Sequence, residues 1–125
     1  MSVTVSWDND DRTTIRYEFE RDWIWDEFYA ASENAFALTR SVEHTVHSIS
    51  YFKPGASLPP NALMHFRRAM VNAPRNRGVT VIVGGSLFIT TMVRVFSKLN
   101  RSLGERLLLA DTLEQARALL AARQK

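Results

Sequence analysis

Apolar and polar residues alternate strictly at the start of the chain: Val3, Val5 and Trp7 against Thr4 and Ser6, then Ile15, Tyr17 and Phe19 against Thr14, Arg16, Glu18 and Glu20. A period of two marks strands with one buried and one wet face. The run Asp8-Asn9-Asp10-Asp11-Arg12 between them consists of turn formers, so the two strands are predicted to make an antiparallel hairpin. The rhythm then changes. Ile24, Phe28, Ala31, Ala35 and Leu38 draw one apolar stripe at helical spacing, which predicts a helix over residues 22–41. Asp22, Asp26 and Glu27 sit in or before its first turn, where the helix dipole favours negative charge. Trp23, Trp25 and Tyr29 near its start are expected to cap the core and cover the sheet edge.

Alternation returns over residues 43–52, with Thr45, His47, Ile49 and Tyr51 on one face and Val46, Ser48 and Ser50 on the other. The proline-rich run 53–60 ends this strand and leads to a helix over residues 60–72, with Ser57 or Asn61 as its cap. Residues 79–83, Val-Thr-Val-Ile-Val, form a nearly continuous apolar strand of the kind found inside a sheet. A glycine turn, Gly84-Gly85-Ser86, and an apolar helix over residues 87–99 follow. A short strand over residues 106–110 and a last helix opened by Thr112 and Gln115, in the spacing of a capping box, complete the chain.

The order is β-β-α-β-α-β-α-β-α. After the hairpin each strand alternates with a helix, so those strands are expected to be parallel with right-handed crossovers. The expected fold is α/β: a mixed, mostly parallel five-stranded sheet with four helices. Strand 79–83 is apolar on both faces apart from Thr80, so a homodimer is expected if helices cover only one face.

Length and composition narrow the classes. At 125 residues the chain is one domain, 1–125, and an apolar fraction of 46% is ordinary for a folded protein. It has no cysteine, which excludes disulfides and thiolate chemistry. The first residues do not read as a signal peptide, and the longest apolar stretch falls far short of the roughly 20 residues that span a bilayer. A cytoplasmic protein is expected. Charge is uneven: residues 1–33 carry nine acidic and three basic residues, and the remainder thirteen basic and four acidic. Solvated faces account for such an imbalance, and an acidic partner or head-to-tail association is the sharper alternative.

Candidate chemistry is sparse. The hairpin aspartates lack the glycine and distal glutamate of a calcium loop, and His44 and His47 fall on opposite strand faces, so no metal site is expected. Arg67, Arg68, Arg75 and Arg77 form the densest basic cluster, but stacking aromatics and a reading helix do not accompany it, which argues against nucleic acid. Gly84-Gly85-Ser86 is neither a dinucleotide fingerprint nor a phosphate loop. It reads as a tight turn with Ser86 as cap, although free N–H groups at that helix start suit an anion. His47 with Ser57 or His65 has no orienting carboxylate in sequence reach, so an enzyme is not expected and neither is a cofactor.

The order of elements, the helix opening Trp23-Ile24-Trp25-Asp26-Glu27, the strand end Val81-Ile82-Val83-Gly84-Gly85 and the closing Ala110-Asp111-Thr112-Leu113-Glu114-Gln115-Ala116-Arg117 resemble the STAS domains, the SpoIIAA-like anti-sigma-factor antagonists. The resemblance spans nearly the whole chain. It implies a sequentially wound sheet with helices mostly on one side. It also implies a non-enzymatic bacterial regulatory module that binds a protein partner, often a kinase-type anti-sigma factor, through the region after the third strand. Phosphorylatable members carry an aspartate at the end of that strand, and residues 48–61 contain none. Ser57 is the hydroxyl nearest the helix start and is the candidate phosphosite, since a phosphate dianion suits a helix N-terminus. The expected function is a protein-interaction module. The alternative is a carrier for a small anion or lipid. In either case Ser57, Asn61, Gly84, Gly85 and Ser86 are expected together at the carboxyl ends of the parallel strands, where open α/β sheets bind ligands.

Overall fold

Strand β1 (Val3–Trp7) pairs antiparallel with β2 (Thr14–Phe19), setting Val3 against Phe19 and Trp7 against Ile15. The structure is a computed structural model and describes residues 2–85 and 87–123. Strand β3 (Val46–Phe52) joins β2 in parallel, β4 (Arg77–Gly84) joins β3, and β5 (Leu107–Ala110) joins β4. Spatial order therefore equals sequence order, β1-β2-β3-β4-β5. The α/β fold with a mixed five-stranded sheet is as the alternation of elements requires, and β4 lies inside the sheet.

Right-handed crossovers that all step in one direction place their helices on one face. Helices α1 (Trp25–Arg40), α2 (Ala62–Val71) and α3 (Leu87–Leu99) do so. On this inner face Ile15, Phe19, Val46 and Phe52 meet Phe28, Ala31, Ala35 and Ile89. Phe19 stacks on Phe52 with ring centroids 4.4 Å apart. The last helix, α5 (Leu113–Arg123), crosses to the outer face, where Ala116 and Leu120 cover Ile49, Val79, Val81 and Val83. The apolar outer face of β4, which suggested a second copy, is covered by the chain itself.

Three local expectations are corrected. There are five helices, because a single turn, α4 (Arg101–Gly104), separates α3 from β5. Asn100 leaves the helical region (φ −133°, ψ 77°), which ends α3 and lets the chain restart. One turn is too short for a periodic pattern to reveal it. Helix α1 begins at Trp25 rather than at residue 22: Asp22 has a φ of 62° and Ile24 is extended. Ile24 has no side-chain oxygen to offer, and Glu27 instead reaches back, accepting the Ile24 N–H at 3.2 Å and the Ser2 N–H at 2.9 Å. Neither Ser57 nor Asn61 caps α2. Asn61 occupies the cap position in a left-handed conformation and makes no side-chain cap bond. At α5 the Thr112 hydroxyl accepts the Gln115 N–H at 3.1 Å, and the Gln115 carbonyl accepts the Asp111 N–H at 2.6 Å.

Trp23 precedes α1 and is buried against Phe19 at 4.8 Å. Its indole N–H donates to the Ser57 carbonyl at 2.6 Å, and that of Trp25 donates to the Pro60 carbonyl at 2.7 Å. The two tryptophans thus seal the sheet and pin the β3–α2 loop. Among the described residues no helix is long and apolar enough to cross a membrane.

Candidate functional site

Ile15, Ser48 and Thr80 are neighbours across β2, β3 and β4, as are Tyr17, Ser50 and Ile82, and these rows point to the inner face. Serines at the middle of β3 are shorter than the valines and isoleucines that fill the outer face. Above them the helices present Phe36, Phe66, Met92 and Phe96. A cavity of about 100 Å³ remains between this floor and this roof. Its floor carries hydroxyls and its roof is hydrocarbon.

Arg77 belongs to the cavity wall because of a β-bulge. Val46 pairs with Arg77 while Ser48 pairs with Thr80, so three residues of β4 oppose two of β3 beyond the first pair. The extra residue shifts the parity, and Arg77 and Thr80 come to share the inner face. Gly78 permits the close approach at the bulge: a Cβ there would lie 2.2 Å from Nδ1 of His47. That nitrogen accepts the Val79 N–H at 3.0 Å, so the neutral ring carries its proton on Nε2. Burial, helped by the positive charge of Arg123, pushes the His47 pKa below its ordinary value.

The Arg77 guanidinium donates through Nη2 to the Thr80 hydroxyl, which is itself hydrogen-bonded to Ser48 Oγ at 2.7 Å. Its Nη1 is sealed from solvent and has no hydrogen-bond partner. Among the described residues no carboxylate pairs with Arg77. Burial lowers the pKa of the guanidinium; Tyr17 opposes this, and the charge of Arg106 adds a smaller lowering effect. Tyr17 donates to Ser32 Oγ at 3.2 Å, and burial raises its pKa, so the phenol stays protonated. Nη1 is thus an orphaned donor on a half-buried cation, a group that an anion able to reach it would satisfy.

The residues singled out from the sequence lie elsewhere. Ser57 and Asn61 are exposed in the loop after β3, and Gly84 at the end of β4 and Gly85 just after it are exposed with φ of 76° and 83°. A Cβ on Gly84 would meet the Phe52 carbonyl at 2.5 Å, so the turn requires glycine. Ser86 lies outside the described residues. All four described positions lie at or just beyond the carboxyl ends of parallel strands, but the cavity is lined at that end by Phe52, Leu58 and Ile89 instead. His65 is hydrogen-bonded through Nδ1 to the Tyr29 hydroxyl at 2.6 Å and stacks on Trp25 at 4.3 Å, which ties α2 to α1. Among the described residues no three His, Asp or Glu side chains converge as a metal site would need.

Sequence reasoning grouped Arg77 with Arg67, Arg68 and Arg75 as the densest basic cluster. Arg67, Arg68 and Arg75 are exposed, while Arg77 turns inward. Strict alternation from Val79 and Val81 would put it on the outer face. Gly78, just ahead of the apolar run 79–83 in the sequence, falls inside β4 in the structure, where a glycine marks a bulge. Compared with known proteins, the chain matches no family model, and no curated protein or solved structure is significantly similar to it.

Proposed function

We propose that this chain is a non-catalytic binding module whose site is the cavity between the sheet and helices α1 to α3, and that its ligand is a small, largely apolar molecule. The observation that carries the reading is the cavity itself, with an apolar roof over a hydroxyl-bearing floor. Protein interiors are close-packed. A ligand in this space of about 100 Å³ would gain contacts with the apolar roof that solvent does not provide. The test is thermal unfolding with a neutral probe, 1-octanol. Octanol is expected to raise the Tm of the wild type and not that of Ser50→Leu, which fills the floor. No stabilisation of the wild type by octanol overturns the reading.

A second reading, a protein-docking regulatory module of the cytoplasm as the STAS resemblance implies, is favoured by the outer stripe of α3. Leu87 is 78% exposed and Leu99 72%, with Val95 between them and Arg94 and Lys98 alongside. In that reading the exposed Ser57 is the modification site. Light scattering of the purified chain at two concentrations, beside Leu99→Glu, tests the simplest partner, a second copy. A mass that does not rise with concentration removes that partner.

A further inference from the structure

The cavity wall holds one positive charge that nothing in the described protein balances, and this specifies the ligand further. Resting on the reading of the cavity as a ligand site, we infer that the ligand is an amphipathic monoanion, a carboxylate with an aliphatic or aryl body, whose headgroup is held by Arg77.

Arginine does not shed its proton under ordinary conditions, so Arg77 remains charged even though burial opposes the charge. A buried ion without a partner is among the costliest features a fold can carry. The guanidinium is nevertheless held in place. Thr80 accepts from Nη2, Ser48 bonds Thr80, and the bulge at Gly78 aligns the pair on one face. Nη1 is left with both hydrogens free and shielded from water. A carboxylate accepts from such a nitrogen in a charge-assisted bond.

The charge count selects among anions. One uncompensated cation balances a carboxylate, whereas a phosphomonoester dianion would bring surplus negative charge into the same low-dielectric wall. Arg106 is exposed to solvent, so its contribution is a screened field. The roof selects the body. Phe36, Phe66, Met92 and Phe96 offer no hydrogen bonds to a sugar or a nucleotide, whose polar groups would be stranded there. Met70 and Met92 are flexible enough to mould to chains of differing shape.

The experiment is isothermal titration of octanoate, 1-octanol and octyl phosphate at pH 7 into wild type, Arg77→Met and Thr80→Val. Wild type is expected to bind octanoate about tenfold or more tightly than octanol, the range of one charge-assisted bond. Arg77→Met is expected to erase that preference while octanol binding stays within about threefold, since only the headgroup contact is removed. Its ligand-free Tm should equal or exceed that of wild type, because an unpaired buried charge has been removed. If Arg77→Met does not fold, Thr80→Val decides: loosening Nη2 should weaken octanoate severalfold more than it weakens octanol. Equal affinities of wild type for octanoate and octanol overturn the inference while leaving the cavity reading intact. So does a preference that survives Arg77→Met, or octyl phosphate binding more tightly than octanoate. Failure of octanol itself to bind removes the cavity reading as well.

Discussion

Asp8 in the hairpin turn and Arg117 in the last helix are joined by two hydrogen bonds, at 3.0 and 2.8 Å, across 109 residues of chain. Arg16 bonds the same carboxylate, whose side chain is 4% exposed. The contact ties α5 on the outer face to the ribbon that opens the sheet. It thereby helps hold the cover over β4.

That carboxylate is held below its ordinary pKa of 3.8, chiefly by the hydrogen bond from Arg117 and then by Arg16, against the opposing effect of burial. The native state therefore binds its proton less readily than the unfolded chain. The stability it contributes is complete above about pH 5 and is lost progressively as pH falls through the unfolded and then the folded value. Asp8→Asn is expected to cost about 1–2 kcal/mol at pH 7, a modest figure because Arg117 is half exposed. Urea unfolding at pH 7 and pH 3 checks both points, and the difference between wild type and variant should shrink at pH 3.

His47 sets an earlier window. Burial depresses its pKa below the ordinary 6.5, so the unfolded chain takes up a proton first as pH falls. Stability should be complete above about pH 7 and should begin to fall between pH 6.5 and 5, before Asp8 contributes. Urea midpoints at pH 7.5 and 5.5 measure this loss. His47→Gln should flatten the interval.

The bulge at Gly78 couples fold and site. Gly78→Ala places a methyl 2.2 Å from His47 Nδ1 and 2.9 Å from Thr45 Cγ2. Overpacking of this kind costs about 1–3 kcal/mol. If the strand relieves it by losing the bulge, Arg77 turns to the outer face. The variant is then expected to lose octanoate preference along with stability, as read by denaturant midpoint and titration on the same preparation.

Trp23 should behave as a core residue and a loop anchor together. It is 2% exposed and donates to Ser57. Trp23→Ala is expected to cost about 3–5 kcal/mol. Trp23→Phe retains most of the ring packing and loses the hydrogen bond. It should leave the fold intact and speed hydrogen exchange in the loop of residues 53–60.

What was legible in the sequence was what rhythm encodes. Val3, Val5 and Trp7 alternate because one face of β1 is wet, and Val81, Ile82 and Val83 run together because β4 is covered on both sides. The turn at Gly84-Gly85 was legible because positive φ demands glycine. The start of α1 was not, since Trp23 continues the apolar pattern while Asp22 turns the chain left-handed beside it. The sequence put Ser48 and Ser50 on one face with Val46, and the structure makes that the inner face, but the space above two serines depends on how far helices stand off, which periodicity does not report. Arg77 was hidden by parity. One extra residue at the bulge reverses the face of every position before it.

The central claim is that ligands enter the space beneath α1 to α3, and side-chain NMR locates them most directly. On adding octanoate, the methyl signals of Met70 and Met92 and the guanidinium signals of Arg77 should shift together and saturate at one concentration, while Leu99 on the outer stripe stays still. Shifts confined to Leu99 and its exposed neighbours, with Met92 and Arg77 unmoved, would contradict it.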